Sequence, residues 1–196
     1  MNTRAEQMEV TRSKLLAAAK VAFASHGYAG ASMDDLCAAA GVTRGALYHN
    51  FGDKKGLLMA VVQQMDADIA ARADATVCSI ADDWDRFVAA GIAYIQLAQE
   101  SDVQRIVLLD GPAVLGDPSA WPSQNACLRA TTETIRALQQ AERVRPVDPE
   151  AAARLLCGAA FDTALWVAAS HNKDAVMAKA MHAFQVLAEG LLAQTS

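Results

Sequence analysis

The chain has 196 residues, 53% of them hydrophobic and 20% charged, with a formal net charge of −5. That is enough apolar mass for one ordinary domain, or for two small ones sharing a helix, to fold without covalent staples. Cysteines at 37, 78, 127 and 157 form no CxxC pair and lie within apolar helical patterns, so reduced core thiols are expected rather than disulfides or zinc, with a redox sensor as the alternative. The start Met1-Asn2-Thr3-Arg4 carries no apolar signal core and no uninterrupted apolar run reaches the length of a membrane span; a soluble, cytoplasmic protein without cofactor or metal is the expectation.

In chain order, residues Arg4 to Glu9 read as a frayed arm, followed by a helix from Thr11 to His26 whose buried stripe is Leu15, Leu16, Ala19 and Phe23 and whose stop is Gly27. Ser32 then caps a short helix, with Asp35 in a weak capping box and Leu36, Ala39 and Ala40 on one face. Gly41 ends that helix by adopting positive φ, Val42 plugs the angle, and Thr43 caps the next helix. In this second helix Ala46, Leu47 and Phe51 pack inward, while Thr43, Arg44, Gly45, Tyr48 and His49 face an outside partner. Two short helices joined by such a turn form a helix-turn-helix, whose second helix enters the DNA major groove.

Asp53 caps a long helix, Lys54 to about Thr76, with Leu57, Leu58, Val61, Val62, Met65 and Ile69 on its apolar face. A fifth helix starts near Asp82-Asp83. A short sixth carries Ile106, Val107, Leu108 and Leu109 and ends at Asp110-Gly111-Pro112, after which Gly111-Pro112 and Gly116-Asp117-Pro118 read as turns flanking Ala113-Val114-Leu115. The remaining helices are placed at about Ser119 to Val144, Glu150 to His171 and Asp174 to Ala193. The last two are apolar on more faces than one subunit covers, so a homodimer through 150–171 and 174–193 is expected, with Ala159, Ala160 and Ala164 permitting close approach.

From Lys14-Leu15-Leu16, Ala19, Phe23 and Gly27-Tyr28, through the helix-turn-helix, to Phe51-Gly52-Asp53-Lys54-Lys55-Gly56-Leu57, the chain resembles the TetR family of bacterial transcriptional regulators over residues 11 to 60. It departs from the family pattern at Cys37, where Ala is usual, and at Asn50, where an aromatic or His is commoner. The resemblance implies an all-α homodimer: a three-helix DNA-reading domain at 1–52, then a larger helical domain at 53–196 for dimerisation and effector binding, about nine helices in all. It further implies a repressor of a palindromic double-stranded operator, released by a small molecule. Carried over by position, Ser32 and Met33 lie at a helix start near the DNA backbone. Thr43, Arg44, Gly45, Tyr48 and His49 form the recognition helix, and Lys54 holds a phosphate.

Charge distribution agrees with this division. Residues 1–60 hold seven Lys or Arg against five Asp or Glu, a balance of +2, whereas residues 61–196 hold ten against seventeen, a balance of −7. Arg4, Arg12, Lys14, Arg44, Lys54 and Lys55 supply a modest basic face, doubled in a dimer, for releasing counterions. Tyr94, Trp121, Asn125, Phe161, Asp162, Trp166 and His171 suggest an effector cavity of polar groups among aromatics, although the same stripe is what a helical core looks like. Asp162, the one acid in the middle of an apolar helix, calls for an ion pair with Arg105 or Arg129. His26 and His182 read as helix-surface residues. The rival functions are a DNA-binding architectural dimer without effector, and a helical enzyme. For the latter the chain offers no Ser/His/Asp order, paired-carboxylate spacing, phosphate loop or HExxH motif.

Overall fold

The computed structural model describes residues 4–193, and these are helical apart from turns and an isolated antiparallel bridge between Val144 and Leu192. Helix α1 spans Arg4–Gly30 and is broken at Gly27, whose φ of 68° and ψ of 171° lie outside the helical region. The expected stop is therefore where glycine permits it, but the expected frayed arm is helical instead. Residues Ala5 to Glu9 are mostly strong helix formers, Glu6 sits favourably in the first turn, and the Thr11 hydroxyl donates to the Gln7 carbonyl at 2.9 Å.

Helices α2 (Met33–Ala40), α3 (Arg44–Phe51) and α4 (Lys54–Val77) follow, then α5 (Asp83–Leu97). A short α6 (Ser101–Val103) passes into a π-helical stretch, Gln104–Asp110, and directly into α7 (Gly111–Leu115). Val103, Asp110 and Gly111 all keep right-handed helical backbone, so the turn expected at Gly111-Pro112 is absent. Pro112 stands in the first turn of α7, where a missing N–H costs no intrahelical bond. The chain turns at Gly116 (φ 88°). Counted as one continuous helix, Ser101 to Leu115 brings the described residues to nine helices.

Helix α8 (Pro122–Gln140) is shorter than its apolar pattern suggests. Glu142 adopts a positive φ of 57°, and the residues after it bond to the chain just past the last helix: Arg145 N–H donates to Leu191 O at 2.9 Å and Ala193 N–H to Arg143 O at 3.0 Å. Helices α9 (Pro149–Ala169) and α10 (Lys173–Glu189) complete the fold, with Asp148 and Asn172 as their caps.

Two compact units emerge. One comprises the chain up to Asp66 together with Ser101–Pro118; the other comprises Ala67–Glu100 and the chain from Ser119 onward. In the first, α1 packs on α2, α3 and the π-helical stretch, and Leu15, Phe23, Leu36, Leu47, Leu57 and Leu58 are fully buried. In the second, α5, α8, α9 and α10 enclose a core that includes Trp84, Val88, Ile95, Ile135, Leu138, Leu156, Ala160 and Phe184.

Candidate nucleic-acid interface

The two helices of the motif are fixed at both ends by local chemistry. The Ser32 hydroxyl accepts from Asp35 N–H at 3.3 Å at the start of α2, and the Thr43 hydroxyl accepts from Ala46 N–H at 3.2 Å at the start of α3. Between them Gly41 takes the left-handed conformation (φ 65°, ψ 36°), and its N–H and that of Val42 return to the Ala38 and Cys37 carbonyls at 3.1 and 3.0 Å. A side chain at Gly41 would meet no neighbour, so the backbone angle alone is what asks for glycine there.

This clamping decides what α3 presents. Leu47 is fully buried, and Ala46, Asn50 and Phe51 are half-buried. Arg44, Gly45, Tyr48 and His49 lie exposed on the opposite side, with Thr43 exposed at the cap. Asn50, the position departing from the family pattern, turns back on its own helix and donates to the Ala46 carbonyl at 2.8 Å. Ser32 is exposed and Met33 half-buried at the start of α2.

Among the basic residues, Arg44 Nε donates to Asp34 Oδ1 at 2.7 Å, both side chains being more than half exposed. Arg12 is engaged with the Phe51 ring, its guanidinium carbon 4.8 Å from the centroid. Lys54 is half-buried in the first turn of α4: its Nζ lies 4.7 Å from the Tyr28 ring centroid and donates to Ala29 O at 3.4 Å. Lys14 and Lys55 are exposed. The side chain of Arg4 lies outside the described residues. The sequence did not single out Asp34 as a partner for Arg44; their placement at the starts of two helices joined by a tight turn is the signal that was available.

Tyr28 is a second junction. Its N–H donates to Asp110 Oδ2 at 2.7 Å, its ring meets Phe23 at 5.9 Å, and burial, followed by the Asp53 charge, pushes its phenol above the ordinary range. Asp110 also pairs with Arg105 at 3.4 Å, and the Arg105 guanidinium lies against Gly27. The break in α1 is thus held by the π-helical stretch of the same unit.

The suggested cavity residues do not converge. Trp121 is fully buried, edge-on to the half-buried Phe161 at 6.4 Å, and its indole N–H has no hydrogen-bond partner among the described residues. Tyr94 is half-buried, and Asn125 lines a separate open groove of about 390 Å³ with Arg129, Arg136 and Arg154. Asp162, Trp166 and His171 are exposed. The expectation that Asp162 is buried and paired is therefore corrected: it stands in water, where a carboxylate needs no partner, while Arg105 is held by Asp110. An apolar helix with two unburied faces has room for one charge outside. Leu155 and Trp166 on α9 and Val186 and Leu187 on α10 are likewise exposed, at 75, 51, 52 and 66%.

Comparison with known proteins bears on both units. Residues 15–61 match the family model described as bacterial regulatory proteins, tetR family, and residues 84–191 match the tetracyclin repressor-like C-terminal domain. A TetR-family transcriptional regulator from Pectobacterium atrosepticum, whose crystal structure is known, is 44% identical over 100% of both chains, with a TM-score of 0.85. The transcriptional repressor AcnR of Corynebacterium glutamicum is 42% identical over 60 residues, 31% of this chain and 32% of its own length. The Transposon Tn10 TetC protein of Escherichia coli is 37% identical over 79 residues, 38% of this chain and 40% of its own. The matched stretch thus spans about a third of the length of the AcnR and two-fifths of the TetC protein.

Proposed function

Since the chain belongs to the TetR family of helix-turn-helix transcription regulators, we propose that it is a homodimeric, cytoplasmic repressor that binds a palindromic operator and is released from it by a small molecule. The observation that carries this reading is the outer face of α3: Arg44, Gly45, Tyr48 and His49 lie exposed together on a helix whose inner face is locked by Leu47 and whose start is capped by Thr43. Such a helix offers a guanidinium, a phenol and an imidazole to base edges and phosphates. Residues 1–52 are the reading domain and 53–196 the regulatory one.

In this reading Arg44 exchanges Asp34 for DNA. An exposed ion pair is worth only about 0–1 kcal/mol, so a phosphate or a guanine edge displaces the carboxylate readily. Lys54 donates to a phosphate at the start of α4, where Ser32 and Met33 approach the backbone from α2. The exposed stripe of Leu155 and Trp166, with Val186 and Leu187, supports a second copy as the partner of α9 and α10. Two recognition helices must lie about 34–36 Å apart to meet successive major grooves, and α4 is the first helix of the regulatory domain, following directly on the reading domain. An effector held by the regulatory domain that favours another setting of α4 would release the operator, with couplings typically about 1–3 kcal/mol.

Selection of fragments from the source genome by the purified protein tests the reading. Enrichment of one palindromic motif is expected, with affinity falling steeply as salt rises. Binding without sequence preference would favour the architectural dimer, and so would a metabolite series in which no compound both raises the melting temperature and weakens operator binding.

A further inference from the structure

Cys127 and Cys157 stand on different helices, α8 and α9, which pack closely against each other. The Cys127 side chain is hydrogen-bonded to the Cys157 thiol, and Cys157 Sγ also lies 3.5 Å from the hydroxyl of Thr131, one turn along α8 from Cys127. Cys127 is exposed and Cys157 partly buried, so solvent reaches the pair from the Cys127 side. The hydrogen bond with Cys127, the largest cause, together with the smaller effect of the bond with Thr131, outweighs burial and holds the Cys157 thiol down at about 7. The lowered value favours the thiolate, which is the nucleophile. Along α9, Arg154, three residues before Cys157, is paired with Glu150 at 2.9 Å.

The other two cysteines serve as internal contrasts. Cys37 lies on the buried face of α2, and that burial raises its thiol above the ordinary range. Cys78 is exposed at the end of α4, its thiol donating to the Ala75 carbonyl at 3.1 Å.

We propose that Cys127 and Cys157 form a hydroperoxide-reactive dithiol site that closes into a disulfide tying α8 to α9. The Cys157 thiolate attacks the terminal oxygen of a hydroperoxide. The O–O bond breaks, sulfur gives up two electrons, and the leaving oxygen takes a proton, giving a sulfenic acid and an alcohol, or water when the oxidant is hydrogen peroxide. The Cys127 sulfur then attacks the sulfenic sulfur. The S–O bond breaks, hydroxide leaves, and the Cys127 proton converts it to water. In sum, two thiols and one hydroperoxide yield one disulfide, one alcohol and one water. A dithiol reductant reverses the change. Because α8 and α9 both contribute to the regulatory core, the covalent tie would restrict any movement between them.

The test treats the reduced full-length protein with equimolar hydrogen peroxide, blocks remaining thiols with N-ethylmaleimide, and maps peptides without reduction. The expected product links the Cys127 peptide to the Cys157 peptide within one chain, leaves Cys37 and Cys78 alkylated, and reverts with dithiothreitol. Cys127→Ala should leave a sulfenic acid on Cys157 that dimedone traps, and should move the pH midpoint of Cys157 alkylation upward. Cys157→Ser should slow peroxide consumption by about tenfold or more, as loss of a low-pKa thiolate implies. Oxidation of Cys78 as fast as Cys157, a linkage formed only between chains, or a Cys157 alkylation midpoint in the ordinary thiol range would overturn the proposal. Should a variant fail to fold, the wild-type peptide map decides alone.

Discussion

The helix-turn-helix and the α8–α10 region are both regular helices, but different information builds them. In the motif, each boundary is a local event: a hydroxyl reaching an N–H three residues on, or a glycine adopting positive φ. The face presented to a partner follows from the caps and the one buried leucine. In α9 and α10 the boundaries are just as local, yet the use of each face depends on elements far along the chain or on another molecule. Trp121 and Trp166 are equally aromatic in sequence; one is 1% exposed and the other 51%.

If the exposed stripe on α9 and α10 is covered by a second copy, it contributes to DNA binding from a distance, and this gives the largest expected effect. The double substitution Leu155→Glu with Leu187→Glu should yield a folded monomer in sedimentation and lower operator affinity by roughly 10²–10⁴, the usual gain from tethering two binding events. An unchanged dimer would detach this face from assembly. Tyr48→Ala should come next. It should cost about 1–3 kcal/mol per half-site, felt at both, with the melting temperature unchanged because the side chain touches solvent. A titration by fluorescence anisotropy that matches wild type would remove Tyr48 from the interface.

These two experiments also mark how far the sequence reaches. Ser32, Gly41, Thr43 and Leu47 were readable because each signal lies within a few residues of its structural consequence, and the burial of Leu15, Phe23 and Leu57 followed from periodicity. The unbroken helical passage through Gly111-Pro112 was not, since glycine and proline signal a turn equally well when they sit in a helix's first turn. The helical start of α1 was not legible either, because Ala5 to Glu9 are exposed all round and carry no buried stripe to reveal a helical period. Asp162 was misplaced for a related reason: apolarity all round implies burial only when one chain must cover every face.

A smaller test compares caps. Thr43→Ala should cost about 0.5–2 kcal/mol of stability by leaving Ala46 N–H unsatisfied, and should weaken DNA binding as the start of α3 frays. Chemical denaturation followed by tryptophan fluorescence reports the second unit, where all three tryptophans lie, so circular dichroism is the better measure of this loss. Asp34→Asn should act in the opposite direction. Freed from its carboxylate partner, Arg44 should bind the operator more tightly by about 0.2–1 kcal/mol, the scale of an exposed pair, and the salt dependence should steepen. Weaker binding would mean that Asp34 orients Arg44 rather than competing for it.

The smallest expected effect separates the units by pH. The motif helices α2 and α3 are capped by hydroxyls, which do not titrate, whereas α5 in the second unit is capped by Asp82. That carboxylate accepts from Asp85 N–H at 3.0 Å and Trp84 N–H at 2.9 Å and pairs with Arg143 at 2.7 Å. The Asp85 N–H, followed by the Arg143 guanidinium, lowers its pKa below the ordinary carboxylate value. A group whose pKa is depressed by folding stabilises the native state above its unfolded pKa, and that contribution drains away as pH falls through the folded value. Asp82→Ala should therefore melt earlier than wild type at neutral pH, with the gap narrowing steadily in acid. Asp82→Asn retains a capping oxygen and loses the charge, so it should fall between the two at neutral pH. In the pair Arg143 is exposed and Asp82 only half-buried, which keeps the whole effect small. A gap of constant size from neutral pH into acid would mean that the Asp82 charge contributes nothing and that the capping oxygen acts alone.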